Sequence, residues 1–300
     1  MPRSSFSMDK ETIFSPAKIN LFLAVTGRRN DGYHNLISWV APVDFGDQLE
    51  LARTEDGKIV LTCDCSLIPT DERNVIVRAL LLFQETTGIQ TGWRVHLRKR
   101  IPVGGGLGGG SSNATKVILA ANRLLGFPLT GDELAILVSR IGSDCPAFLH
   151  QASCVIRGRG DVVEQVSPSV CQFYKGRKIA LFWPIFPIST PWAFSCFDES
   201  VNGFSSISRS EENLRELLTA RGSLDGPFQN DFEPVLGLKY PTIVTLLNAL
   251  RKLDGVSCSV SGSGSSCFAF AEDESSFLTV ESLVRSAWGA EAGFTLAKLL

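Results

Sequence analysis

The twelve residues Pro102-Val-Gly-Gly-Gly-Leu-Gly-Gly-Gly-Ser-Ser-Asn113 place six glycines in seven positions, Gly104 to Gly110, between a strand pattern and a helix pattern. Without Cβ atoms this backbone can approach a ligand closely and adopt positive φ. Its N–H groups, the following helix N-terminus and the hydroxyls of Ser111 and Ser112 together suit phosphate oxygens. Pro102, Val103, Gly104, Gly105, Gly106, Leu107, Gly108, Gly109, Gly110, Ser111 and Ser112 are therefore candidate nucleotide contacts. A merely flexible turn would spend this ordering entropy with no structural return. Gly104 and Gly109 have Walker A spacing, but Gly110 stands where that motif needs lysine. Gly104, Gly106 and Gly109 fit G-x-G-x-x-G, with Asp132 near the distance of a ribose-binding acid. Asp132, however, falls in the first turn of a capped helix rather than at a strand end, so dinucleotide binding is the minor alternative.

Transfer chemistry needs a base and a cation besides a phosphate cradle. Pro16-Ala-Lys-Ile-Asn-Leu-Phe-Leu23 puts Lys18 at the start of an apolar strand, and Gly142-Ser-Asp-Cys-Pro146 puts Asp144 just past a helix end. Singly, a solvated strand-end lysine and an Asx-type turn before proline account for them. Their weight comes from occurring with the glycine loop.

The elements that must carry these residues follow from periodicity. Residues 19–25 alternate as a two-faced strand, with Lys18 and Asn20 on one face. Further strands are expected at 36–43, 48–52, 59–63 and 93–98, with a helix at 74–85 that Asn74 caps. Ala114, Val117, Ile118, Ala121, Leu124 and Leu125 recur at helical spacing up to Gly126, and a helix capped by Thr130 and Glu133 runs to Gly142. The later chain reads as a βαββαβ unit: strand 178–183, helix 241–253, strands 256–260 and 267–271, helix 275–288 and strand 293–297, with an inserted helix at 211–221. A boundary is expected near 174–177, giving domains 11–174 and 175–300.

Composition narrows the classes. The chain has 300 residues, 44% of them hydrophobic and 20% charged, so it can bury a large core. Its 27 glycines exceed the roughly 7% of an average protein by about the content of the one loop. A net charge of −2 gives no field for nucleic acid or an anionic membrane, and the apolar run 179–188 is broken by Pro184 and Pro187. Eight scattered cysteines and three histidines favour free, mostly buried thiols over a zinc site. Residues 1–10 carry no apolar signal segment and are expected to be disordered; a cytoplasmic protein, bacterial rather than plastid, is expected.

These segments, with Val260-Ser-Gly-Ser-Gly-Ser265, resemble the GHMP kinases, the superfamily of galactokinase, homoserine kinase, mevalonate kinase and phosphomevalonate kinase. Within it, residues 16–23, Asp31-Gly-Tyr-His34 and the triple-glycine loop are similar to the branch acting on a cytidine-diphosphate derivative of methylerythritol in isoprenoid precursor synthesis. The similarity runs from about Phe14 to Phe270. It implies an α+β, two-domain kinase with a strand-rich ATP-binding N-terminal domain, a βαββαβ-like C-terminal domain and an active site in the cleft between them. It also implies ATP as co-substrate, Mg2+ with Ser111 as its protein contact, Asp144 as base, and Lys18 holding that carboxylate ionised and stabilising developing charge. By the same resemblance Asn20 lies near the reacting erythritol, while Tyr33, His34 and the segment from Thr190 to Phe194, through those two residues, meet the cytidine end. Lys99, in a basic run that reads as a solvated strand end, and Asn74, first a cap, would touch the nucleotide. The expected partner is a small molecule with a cytidine diphosphate group, with no nucleic acid and no membrane; the protein is expected to be a monomer or weak homodimer. Gly142-Ser-Asp replaces the usual Gly-Ala-Asp, and Ser265 is followed by Ser266 and Cys267; both departures bear on nucleotide affinity rather than on activity. The rivals are a non-catalytic sensor on this fold, which Lys18 and Asp144 argue against, and a related kinase for another alcohol, which residues 31–34 disfavour.

Overall fold

The computed structural model describes residues 10–199, 203–219 and 228–300. It divides into two compact units, which alternate along the chain. Unit 1 holds the described residues up to Pro16, with 46–100 and 109–149; unit 2 holds 17–45, 101–108 and 150–300. Two long strands, β1 (Lys10–Arg28) and β2 (His34–Thr54), pair with each other and give each unit a segment.

In unit 1, β3 (Ile59–Cys63) precedes helix α1 (Val75–Thr87) and β4 (Gly92–Arg98). β2 pairs antiparallel with β4 from Gln48 opposite Arg98 to Thr54 opposite Gly92, and β4 pairs parallel with β3. The period of two turns Leu49, Leu51, Leu61, Trp93, Val95 and Leu97 inward, where they are buried together with residues of the helices. Glu50, Thr62, Arg94 and His96 occupy the alternate positions. α1 contributes Ile76, Leu80 and Phe83 to that core; helix α2 (Gly109–Leu124) adds Ala114, Val117, Ile118 and Ala121. Burying Phe83 alone is worth about 1.5–3 kcal/mol. As the sequence implied, Asn74 caps α1, Gly126 follows α2 with φ +77°, and Thr130 and Glu133 form a capping box on α3 (Gly131–Ile141).

Unit 2 adds β5 (Cys154–Gly158) and β6 (Val162–Gln165), a hairpin whose first strand pairs antiparallel with β2 from Leu36 opposite Gly158 to Val40 opposite Cys154. Helix α4 (Pro168–Tyr174) and β7 (Lys178–Trp183) follow, then α5 (Thr190–Glu199), α6 (Ile207–Thr219), α7 (Phe232–Lys239) and α8 (Pro241–Leu250). The chain closes with β8 (Val256–Val260), β9 (Cys267–Ala271), α9 (Glu274–Trp288) and β10 (Gly293–Lys298). A second sheet has the antiparallel order β10-β7-β9-β8. Both of its faces are apolar, so both are covered. Ile179, Leu181, Phe268 and Phe270 belong to the cluster around β1 and β2, while Ala180, Phe182, Cys258 and Cys267 pack with Leu246, Leu247, Phe277 and Val284 of α8 and α9.

Several expectations are redrawn. Strands 36–43 and 48–52 are one strand, because the turn-like residues between them serve packing: a Cβ on Gly46 would overlap the Ser15 carbonyl oxygen, and Asp47 is buried in an ion pair. The two-faced strand at 19–25 is buried on both faces. The helix expected to reach 253 stops at Leu250, and the inserted helix spans 207–219; 220 and 221 lie outside the described residues, as do 1–9, whereas Lys10 already belongs to β1. β5, β6, α4, α5 and α7 had no expected counterpart.

All eight cysteines are free. Burial pushes the thiol of Cys145 up to about 11 and those of Cys154 and Cys258 up to about 12, and raises that of Cys267 as well. Raised pKa and lack of access act together against thiolate chemistry. Iodoacetamide at about pH 8 should alkylate the half-buried Cys65 and Cys196 first and these four only after denaturation. Mass spectrometry of labelled peptides reads the order, and Cys267 reacting as fast as Cys65 would contradict this account of the core. No helix among the described residues is long and apolar enough to cross a membrane.

Candidate active site

Lys18 lies on β1 in unit 2 and is only 4% exposed. Its backbone N–H donates to the Leu107 carbonyl (3.0 Å), and its Nζ donates to Gly106 O (2.8 Å) and Asn20 Oδ1 (2.6 Å). The shared strand face thus brings Lys18 and Asn20 into contact as their spacing required. Carbonyls of the glycine loop are engaged one after another: Gly104 O accepts from Ile188 N (3.4 Å), Gly105 O from Ser266 N (3.0 Å), and Gly106 O also from Ser261 Oγ (3.1 Å). Gly104, Gly106 and Gly108 all have positive φ. Glycine adopts such left-handed backbone without the steric cost that other residues meet. At Gly106 only glycine serves, since a Cβ would overlap Ser261 O and stand 2.9 Å from Gly264 O.

The loop between β8 and β9 is closed by Ser261 N to Ser266 O (2.9 Å) and reaches Asn20 through Gly262 N (2.8 Å). Thr190, first residue of α5, shares a hydrogen bond with Ser263 (2.9 Å). Lys18, Asn20, Thr190 and the first half of the glycine loop therefore converge on this loop.

In unit 1 the glycine loop continues as the first turn of α2. Ser112 is fully buried and accepts from Ser15 Oγ (2.8 Å). Ser111 is half-buried, with its hydroxyl beside the Cys145 thiol. Asp144 sits in the turn closed by Cys145 N to Gly142 O (3.1 Å). Thr115 Oγ1 donates to Cys145 O (3.0 Å) and Lys116 Nζ to Phe148 O (2.8 Å), so α2 holds this turn in place.

Two expected nucleotide contacts have structural employment in the same unit. Lys99 is not a solvated strand end: its side chain is 9% exposed and pairs with Asp47, which is 0% exposed, at 2.9 Å. Asp47 also accepts from Arg100 N (2.7 Å) and Asn113 Nδ2 (2.9 Å), a set of donors that offsets the cost of burying a carboxylate. Asn74 accepts from Ile76 N (2.9 Å) and donates to Pro69 O (2.7 Å).

The aromatic residues group in unit 2. His34 is buried and stacks on Phe194, with centroids 4.8 Å apart and planes at 21°; Phe204 lies 5.8 Å from the imidazole. Tyr33 is 52% exposed, with the Arg159 guanidinium 5.7 Å from its ring. The Tyr33 N–H, followed by Arg29, holds the Asp31 carboxyl below its ordinary value. Sequence reasoning missed Ser15, Ser38, Asp47 and Asn230. Ser38 left a usable signal, as the one polar residue in Leu36-Ile-Ser-Trp-Val40. Asn230 left none, because its role rests on contacts made across the fold.

Two family models match the chain. The GHMP kinases N terminal domain matches residues 74–152, and the GHMP kinases C terminal domain matches 205–288. The chain is 36% identical over 263 residues to the 4-diphosphocytidyl-2-C-methyl-D-erythritol kinase of Methylacidiphilum infernorum, covering 87% of this chain and 86% of that protein. It is 37% identical over 265 residues to the enzyme of the same name from Chlorobium limicola, covering 86% and 88%. A crystal structure of 4-(cytidine 5'-diphospho)-2C-methyl-D-erythritol kinase matches with a TM-score of 0.77 and 29% identity over 96% of this chain and 99% of that one. With both domains matched and identity sustained over most of its length, the chain belongs to the 4-diphosphocytidyl-2-C-methyl-D-erythritol kinase family of the GHMP kinases.

Proposed function

We propose that the protein transfers the γ-phosphoryl group of ATP to the C2 hydroxyl of 4-diphosphocytidyl-2-C-methyl-D-erythritol. The observation that carries this reading is the buried Lys18–Asn20 pair built onto the glycine loop, in a chain whose relatives bear that enzyme's name. Asp144 accepts the hydroxyl proton as the new oxygen–phosphorus bond forms and the bond to the β-phosphate oxygen breaks, leaving ADP. Lys18 stabilises the negative charge that develops on oxygen. Residues 102–112 hold the phosphates, so that orientation and electrostatics supply most of the acceleration. Asn74 and Lys99 support the nucleotide end from the positions their structural bonds fix. Asn20 holds the erythritol side, and Thr190 opens the segment that carries Phe194 to the substrate. Tyr33, His34 and Phe194 form the cytidine end, where the Phe194 stack keeps the imidazole in one plane.

Mg2+, when bound, neutralises charge on the β- and γ-phosphate oxygens. The described residues contain no group of three or more His, Cys, Asp or Glu that could hold a metal. The Ser111 hydroxyl, a hard oxygen donor in the first turn of α2, fits an ion carried chiefly by phosphates and water.

ADP release measured with the cytidylyl alcohol, mevalonate and homoserine in turn tests the substrate. Turnover is expected with the first alone; turnover only with another alcohol would overturn the reading.

A further inference from the structure

The two ends of the Asn20 side-chain amide are chemically distinguished by their partners. Its Oδ1 accepts from Lys18 Nζ (2.6 Å) and Gly262 N (2.8 Å), both of which can only donate. Its Nδ2 donates to Ser38 Oγ (2.8 Å), and the Ser38 hydroxyl spends its own proton on Phe22 O. Exchanging the amide's oxygen and nitrogen would set an NH2 group against an ammonium and an N–H, so only one orientation keeps every bond.

Gly262 is held in turn. Asn230, buried just before α7, donates to Val260 O (2.8 Å) and Gly262 O (2.9 Å), while its Oδ1 accepts from Phe232 N (2.9 Å). The strand–loop bridge between Leu23 and Asn230 ties the same segment to β1. A Cβ on Gly262 would stand 3.1 Å from Lys18 Nζ, which shows how closely this backbone approaches the ammonium.

We propose that Ser38 and Asn230 are positioning residues for Lys18. Ser38 fixes the Asn20 amide from one side, and Asn230 fixes the Gly262 N–H from the other. Together they hold the Asn20 oxygen toward the ammonium. A lysine stem has several free rotors, and an acceptor already set in place removes the need to order them during the reaction. The inference rests on the reading that Lys18 acts in phosphoryl transfer.

The test compares the full chain with its Ser38→Ala, Asn230→Ser, Asn20→Ala and Lys18→Ala variants by steady-state kinetics, with kcat expressed per folded enzyme. Ser38→Ala and Asn230→Ser should each lower kcat about 10- to 100-fold. KM for ATP should stay within about threefold, and KM for the cytidylyl alcohol, whose erythritol side Asn20 also meets, should change less than kcat. Adding Ser38→Ala to Asn20→Ala should lower kcat no further, because both act through one amide. A purely structural role would instead lower the melting temperature while leaving kcat per folded enzyme intact. Should Asn230→Ser fold poorly, Ser38→Ala, which removes one atom, decides the matter. Wild-type kcat in both positioning variants beside an inactive Lys18→Ala, or additive losses with Asn20→Ala, would overturn the proposal alone. An active Lys18→Ala would bring down the underlying reading as well.

Discussion

Replacing Asp144 with alanine is expected to lower kcat by roughly 10²- to 10⁴-fold, the range typical of a lost general base. Binding of ATP should change little, since the frame around Asp144 is made by other groups. The turn is closed by backbone atoms of Gly142 and Cys145, and Thr115 ties the Cys145 carbonyl to α2. Removing the carboxylate leaves these bonds standing, so stability should shift by no more than about 0.5 kcal/mol. Asp144→Asn keeps the shape of the side chain and removes its basicity; it should be as impaired as alanine. Stopped-flow or coupled ADP detection reads the chemical step, and calorimetric ATP titration reads binding. Wild-type turnover in either variant would remove Asp144 from the mechanism.

The second large effect is expected at Gly106. Alanine there would meet Ser261 O and Gly264 O and would have to hold a φ of +77°. A residue forced into that region costs on the order of 1–3 kcal/mol before the overlap is counted. The backbone must move, and the carbonyl that accepts from Lys18 and Ser261 moves with it. ATP affinity should fall at least about tenfold, as a displaced cradle loses aligned donors. Gly131→Ala is the control: it opens α3, nothing lies within 4 Å of its added Cβ, and it should be neutral or stabilising by about 0.4–1 kcal/mol. Urea denaturation with ATP titration distinguishes the two, and an unchanged Gly106→Ala variant would contradict the argument from overlap.

Much of this was legible in the residues themselves. Caps, glycine stops and alternating strands are local signals, and Asn74, the Thr130–Glu133 box, Gly126 and the strands β3, β7, β8 and β9 follow them closely. Local rules failed where tertiary packing took over a local preference. Asp44 to Asp47 resemble a turn, yet they run extended because Gly46 admits a neighbouring backbone and Asp47 is paired at depth. The basic run at 98–100 resembles a solvated strand end, yet Lys99 is buried against that same aspartate. In the candidate site, spacing put Lys18 and Asn20 on one strand face and marked the glycine loop, and the family resemblance gave Asn20 its role, but neither showed what holds them. Gly262 meets Asn20 across 242 positions of sequence, and no period in the chain encodes such a contact.

The proposed reaction phosphorylates one hydroxyl of one cytidylyl alcohol. Two-dimensional phosphorus–carbon NMR of the wild-type reaction, with ATP, Mg2+ and 4-diphosphocytidyl-2-C-methyl-D-erythritol, tests it most directly. A new phosphomonoester coupled to the quaternary C2 carbon is expected, formed in step with ADP. Release of inorganic phosphate alone, or a phosphate on another carbon, would contradict it.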